Sequence, residues 1–270
     1  MLDTAFVYIL YGTNQKYYRE ALISICSVLD KMKSSNIIIL SELVDFFPPH
    51  PRLTIVPLDL SMKSKWMESS DYHFKLKLAG LRYILENHAK KIIFLDSDTI
   101  IKKDISSYFN HITESSFLMH KFEGKLSKQR HSRHYSQIFN KQFEHKDYGQ
   151  ILCTKNCSMY NSGVIGICNK SLTLLNTALW LMEQIVPLIS THTAEQFSLG
   201  KTLSEKGEII TLGDNSVFHY WHKGPKNYIH DQSNELLEKK SKEALLDSPE
   251  MANQIKTKRH ISRWVQDKIL

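Results

Sequence analysis

The stretch KIIFLDSDTII, residues 91–101, decides the fold. Ile92, Ile93, Phe94 and Leu95 are apolar without alternation, as in a strand buried on both faces of a parallel sheet covered by helices. The run ends on Asp96 and Asp98. Carboxylates beside an interior are costly unless they are paired, hydrated or bound to a metal. Alternate residues of an extended segment point the same way, so the two acids address one point. Such a pair suits a hard divalent cation, Mg²⁺ or Mn²⁺, which takes oxygen ligands and bridges substrate phosphates. In open α/β sheets ligands sit beyond the carboxyl ends of the strands, which is where this pair falls. An Asp-X-Asp also caps loops and helices, and by itself does not separate the two readings.

The chain on either side repeats the strand–helix alternation. Residues 6–10 read as a first strand, followed by a polar turn at Tyr11, Gly12, Thr13 and Asn14. Residues 17–33 form an amphipathic helix with Ala21, Leu22, Ile25, Val28 and Leu29 on its apolar side. Residues 37–40 are a second buried strand, completing a βαβ unit of a parallel sheet. The prolines of residues 47–51 mark a loop, and residues 53–56 a third strand. A helix over 73–88 leads into the strand at 91–95. Residues 121–150, rich in Lys, Arg and His, read as an exposed insertion. A strand then enters through Asn161, Ser162 and Gly163. Helices follow over 171–190, ending near Pro187, and over 194–206, then a short strand over 208–211. Residues 233–270 read as helical and basic, with Ile261, Trp264, Val265 and Lys268 on one stripe. That tail packs on its own domain or lies on a membrane or partner.

The 270 residues allow one large α/β domain with a helical extension. An apolar content of 42% and a charged content of 23% are those of an ordinary globular chain. No apolar run approaches the roughly 20 residues that span a bilayer. The first ten residues lack the pattern of a signal peptide and read as a strand. Cys26, Cys153, Cys157 and Cys168 have no metal-site spacing and read as free thiols of a reducing compartment. The expectation is a cytoplasmic protein, with peripheral contact at the inner face of an anionic membrane left open. A net charge of +7 favours phosphate-rich partners. No nucleic-acid-binding motif is visible, so nucleic acid is not an expected partner.

KIIFLDSDTII resembles the Asp-X-Asp strand end of nucleotide-sugar glycosyltransferases of GT-A fold, especially glycosyltransferase family 8. FKLKLAGLRYIL (74–85) is similar to the helix before that strand, and YNSGVIGI (160–167) to the segment entering a later one. AEQFSLGKTL (194–203) resembles the family's acidic-Gln segment, and FHYWHKGPK (218–226) its late His…Gly…Lys segment. The likeness runs over residues 4–230, in the family's order. It implies a GT-A-like catalytic domain at 1–230, with 121–150 inserted and 231–270 as a basic helical extension. The implied reaction is transfer of a hexose from a nucleoside-diphosphate donor, usually uridine-linked, to a glycan, glycolipid or protein, with Mn²⁺ or Mg²⁺.

The resemblance also implies roles. Asp96 and Asp98 hold the metal against the diphosphate, with Asp96 and Ser97 near the donor. The third ligand is a late histidine, His219 or alternatively His222. The family's spacing of His, Gly and Lys is not met here, because Gly224 lies five residues after His219 and two after His222. His219 is favoured because Val217 and Phe218 can form the strand that carries it. Lys226 pairs with diphosphate oxygens, and Tyr11, Gly12 and Thr13 end the first strand near the base. Lys75 is favoured slightly over Lys77 as the basic residue at the donor. Asn161, Ser162 and Gly163 line the sugar end, and Glu195 and Gln196 lie at the reacting carbon, Glu195 as base or as transition-state stabiliser.

Three rivals share parts of the pattern. Haloacid-dehalogenase phosphatases also end an apolar strand on Asp-X-Asp, and Gly213-Asp214-Asn215 mimics their late acidic motif. Here, however, the pair is far from the N-terminus, Ile100 stands where Thr or Val is usual, and no second acid follows Asp214 closely. A sugar nucleotidyltransferase needs a Gly-rich, Arg-containing first loop, which Tyr11-Gly12-Thr13-Asn14 is not. A non-catalytic sugar-binding protein of the same fold has no need for Asp96 and Asp98.

Overall fold

The computed structural model describes residues 1–68 and 70–257. In chain order the elements are β1 (Leu2–Leu10), α1 (Gln15–Lys31), β2 (Ile37–Ser41), β3 (Leu53–Pro57), α2 (Leu60–Met67), α3 (Lys75–Asn87) and β4 (Ala89–Leu95). Next come β5 (Thr99–Ile101), β6 (Ser116–Lys125), α4 (Gln129–Tyr135), β7 (Lys141–His145), β8 (Gly149–Cys153) and β9 (Ser158–Cys168). The chain continues through α5 (Leu172–Ile185), α6 (Ala194–Lys206), β10 (Glu208–Thr211), β11 (Val217–His219), α7 (Lys223–Lys239) and α8 (Lys242–Asp247).

Seven strands form the central sheet in the order β10-β6-β9-β4-β1-β2-β3. β9 runs antiparallel to both its neighbours, and every other pairing is parallel. This is the helix-flanked, mainly parallel α/β architecture expected from the sequence. Alternate residues of β1 enter opposite cores. Ala5, Val7 and Ile9 pack with residues of α3, α5 and α6, whereas Phe6, Tyr8 and Leu10 pack with α1, α7 and α8. Burial on both faces explains the unbroken apolar runs of β1, β2 and β4.

Two registers bring distant motifs together. In the β4–β9 pair Leu95 faces Val164, which sets Asp96 beside Gly163, and the Asp96 N–H donates to the Gly163 carbonyl at 3.0 Å. In the separate β5–β11 ribbon His219 faces Thr99, and the Tyr220 N–H donates to the Asp98 carbonyl at 3.0 Å. β9 and β11 thus converge on the Asp-X-Asp turn.

Helices α1 and α3 add polar groups from opposite faces. Residues i, i+4 and i+7 share a helix face. On α1 the residues at this spacing are Glu20, Ser24 and Ser27, a buried polar stripe in an otherwise apolar surface. The Ser27 hydroxyl accepts the Ile101 N–H at 2.9 Å, which ties the stripe to β5. On α3, Lys77, Gly80 and Ile84 share the sheet-facing side. A Cβ on Gly80 would meet Ile9 and Leu40, so glycine lets this helix lie close to the sheet.

Several expectations change at this level. Residues 121–125 belong to β6, a strand of the main sheet paired with β9, so an insertion does not begin at 121. The register shifts twice along this pair, where the strand leaves the core. Residues 129–153 contain α4 and the β7–β8 hairpin. The helix expected over 171–190 ends at Ile185 and tightens into a 3₁₀ turn at Val186–Leu188, because Pro187 has no N–H to continue it. A boundary at 230 falls within α7, whose Ile229 and Leu236 pack in the α1 core. The stripe expected at Ile261, Trp264, Val265 and Lys268 lies outside the described residues. No described helix is long and apolar enough to cross a membrane. All four cysteines are free and buried.

Candidate active site

The turn that follows β4 is held from beneath by hydroxyls. Thr99 Oγ1 donates to the Asp96 carbonyl at 2.8 Å, Ser24 Oγ lies 2.8 Å from Thr99 Oγ1, and the Tyr8 hydroxyl lies 2.7 Å from Ser24 Oγ. Thr99 uses its one proton on Asp96, so Ser24 donates to Thr99 and Tyr8 donates to Ser24. The order of this chain fixes the turn that carries both acids.

His219 completes a cluster with them. Ligand atoms of Asp96, Asp98 and His219 all lie within 4.8 Å of one another. His219 Nε2 is 3.1 Å from Asp98 Oδ1 and 3.6 Å from Asp96 Oδ2. The other ring nitrogen, Nδ1, is 2.9 Å from Asn161 Oδ1. That oxygen also accepts the Gly163 N–H at 3.0 Å, which identifies it as the amide carbonyl. Nδ1 therefore carries a proton and donates, and Nε2 is the nitrogen turned toward the two carboxylates. Neighbouring ligands in an octahedral shell of about 2.1 Å lie about 3 Å apart. Two oxygens and an imidazole nitrogen at these separations, with the far nitrogen fixed by a partner, fit a divalent cation. Gly163 leaves space for the ring, because a Cβ there would overlap His219. His222 is exposed, stacks on Trp221 and lies outside the cluster.

Cations flank the acids. Lys226, in the first turn of α7, places Nζ 2.7 Å from Asp98 Oδ2 and 3.6 Å from Glu20 Oε2. Burial works against the Asp98 charge, but the His219 hydrogen bond and the Lys226 ammonium outweigh it and hold its carboxyl well below the usual range. Burial pushes Glu20 up to about 7 against the pull of Lys226.

Lys77 is buried. It donates to Ser162 through the carbonyl at 2.8 Å and Oγ at 3.1 Å, and pairs with Asp96 at 3.2 Å and Glu195 at 3.6 Å. Burial disfavours its charge, but Asp96 and Glu195 prevail and raise its pKa. Burial likewise raises the Glu195 carboxyl, with Lys77 pulling the other way. Ser162 Oγ donates to Glu195 Oε2 at 3.1 Å. Gln196 donates to Glu123 Oε2 at 3.0 Å, and Asn161 donates to Glu123 Oε1 at 3.3 Å.

These groups line a cleft of about 530 Å³. Asp96, Ser97, Asp98, Asn161, Ser162, Glu195, Gln196, His219 and Lys226 all face it, as does Tyr11. Gly163 supports the cleft from behind His219. Gly12 and Thr13 do not line it: Gly12 turns at φ +80°, and its N–H donates to Glu42 at 2.9 Å. Lys75 pairs with Glu183 of α5, so the α3 lysine in the cleft is Lys77. Two residues along a helix is a rotation of about 200°, so only one of the two lysines can face the sheet. Glu123, Tyr17, Phe74, His192 and Trp221 also line the cleft and were not anticipated. Asp214 pairs with Lys121 and His120 and does not line it. This removes the late acid that a phosphatase reading requires. A larger groove of about 1030 Å³, between the Phe46–Phe47 loop and α7–α8, contains none of these groups.

No protein-family model matches the chain, and no curated protein sequence matches it. Solved structures do. The galactosyltransferase LgtC, in complex with donor and acceptor sugar analogues, superposes with a TM-score of 0.57 at 10% identity, covering 87% of this chain and 96% of that one. The WbbM bifunctional glycosyltransferase, in its apo form, matches at 0.48 with 15% identity over 78% of this chain. This chain spans 39% of the WbbM structure's length. The LgtC likeness shows the fold, a GT-A-type α/β arrangement.

Proposed function

We propose that the chain is a metal-dependent glycosyltransferase of the family 8 type, which moves a hexose from a nucleoside-diphosphate donor, uridine-linked, to a glycan, glycolipid or protein acceptor. The observation that carries the reading is the convergence of Asp96, Asp98 and a tautomer-fixed His219 at the carboxyl ends of the parallel strands, within a cleft flanked by Lys77 and Lys226. The GT-A-type fold adds support, as do the donor and acceptor analogues that the LgtC structure holds in its own complex.

Asp96, Asp98 and His219 would hold Mn²⁺ or Mg²⁺, which would supply positive charge against the negative charge of the departing nucleoside diphosphate. Lys226 gives a further cation to the diphosphate oxygens. Tyr11 offers a ring to the base, and Ser97 and Asp96 lie beside it toward the ribose. Asn161 and Ser162 present an amide and a hydroxyl at the sugar end, supported by Gly163. Lys77 and Ser162 keep the Glu195 carboxyl fixed, so that it can face positive charge developing on the sugar or take the acceptor's proton. Gln196 is held beside it by Glu123. The basic tail, residues 233–270, and the cationic segment 121–150 favour an anionic or membrane-bound acceptor.

The test is nucleoside-diphosphate release from UDP-glucose, UDP-galactose, UDP-N-acetylglucosamine and GDP-mannose, with Mn²⁺ or with chelator. Metal-dependent release from one donor supports the proposal. Phosphate release from phosphomonoesters, with no donor turned over, contradicts it.

A further inference from the structure

Glu20 is fully buried, and neither of its carboxylate oxygens has a hydrogen-bond partner among the described residues. A buried carboxylate in that condition is costly. It lies on the α1 stripe behind the Asp-X-Asp turn. The cation closest to it is Lys226, 3.6 Å from Oε2, and Lys16 also acts on it through the field. Lys226 is meanwhile bonded to Asp98 at 2.7 Å, so one of the three proposed metal ligands is engaged by a lysine. A divalent cation on Asp98 and an ammonium at hydrogen-bond distance from the same carboxylate repel each other. That repulsion favours release of the ammonium, and among the described residues an unsatisfied buried acceptor, Glu20 Oε2, lies 3.6 Å from it.

We infer that Glu20 is a positioning residue that takes Lys226 from Asp98 when the metal enters, freeing Asp98 as a ligand while keeping the lysine beside the diphosphate site. The inference rests on the metal reading of Asp96, Asp98 and His219. It assigns a use to an acid that has no other one among the described residues: Glu20 does not line the cleft, and its ion-pair partner there is Lys226. It also accounts for two acids, Glu20 and Asp98, sharing one lysine.

The test is a double-mutant cycle on Mn²⁺ affinity, read by calorimetry without donor. Removing Glu20's charge leaves Lys226 on Asp98 with no alternative partner, so Glu20→Gln weakens Mn²⁺ binding by about tenfold. Lys226→Met removes the competitor and tightens binding. With Lys226→Met already in place, adding Glu20→Gln changes affinity by less than about twofold. Unchanged affinity in Glu20→Gln overturns the inference. So does equal weakening in both backgrounds, since Glu20 would then act through its field alone. A wild-type protein that binds no Mn²⁺ overturns the metal site and this inference with it. Normal wild-type binding with either of the first two results overturns the inference alone.

Discussion

The Asn161 side-chain carbonyl accepts from His219 Nδ1 at 2.9 Å and from the Gly163 N–H at 3.0 Å. One short segment of β9 thereby sets the tautomer of a histidine 58 residues away and turns its other nitrogen toward Asp96 and Asp98. Asn161→Ala removes this acceptor while leaving all three proposed ligands in place. Mn²⁺ affinity falls by about 10–100-fold with the fold retained, as calorimetry and circular dichroism together can verify.

Gly163 acts by volume. A methyl at this position overlaps the His219 ring, and the β9 backbone is held here by the bond from the Asp96 N–H to the Gly163 carbonyl. Gly163→Ala therefore displaces the imidazole. The expected cost is about 1–3 kcal/mol in urea unfolding, together with loss of Mn²⁺ binding.

Lys77 neutralises Asp96 and Glu195 from inside the protein. Lys77→Met leaves a buried Glu195 without its cation, a loss on the order of 3 kcal/mol that equilibrium unfolding would register. Lys75→Met should leave donor binding near the wild-type value, because Lys75 faces Glu183 on α5.

Glu20 gives a pH signature. Its carboxyl is raised from an ordinary 4.5 to about 7, so the folded state holds the proton more tightly than the unfolded chain. Its contribution to stability is complete below about 4.5 and is lost as pH rises through about 7, on the order of 3 kcal/mol in total. Lys226, Lys16 and Asp98 are the charges that act on it. In metal-free protein, Glu20→Gln should abolish this part of the slope and raise stability at pH 8. An unchanged slope between pH 5 and 8 in denaturant melts would contradict the assignment.

The parts of this site that were legible in the sequence are those whose signal is local. The run Ile92–Leu95 ending on two acids needs only one strand and its pleat to be read. The Asn161-Ser162-Gly163 and Glu195-Gln196 groups were reached only through short segments that resemble family motifs. What was hidden depends on long-range register. The strand carrying His219 was expected at Val217 and Phe218, but its partner β5, three residues long, has no periodicity to announce the pairing that delivers His219 to Asp98. β6 was not read as a strand, and the insertion was begun within it at 121, because its outer half is charged; that charge includes Glu123, which orders Gln196 and Asn161. The choice between Lys75 and Lys77 turned on helix phase. Gly80, three residues after Lys77, was the available sign of the sheet-facing side. Glu20 was legible in principle through its spacing with Ser24 and Ser27, a polar stripe where core was expected.

The most direct test of the account is calorimetric titration of UDP-glucose, UDP-galactose and UDP-N-acetylglucosamine into wild-type protein and Asp98→Asn, each with Mn²⁺ and with chelator. The account predicts that one donor binds wild-type protein only with Mn²⁺, and that Asp98→Asn loses this binding while remaining folded. Equal donor binding with the metal chelated, or no binding of any donor to folded wild-type protein, would contradict it.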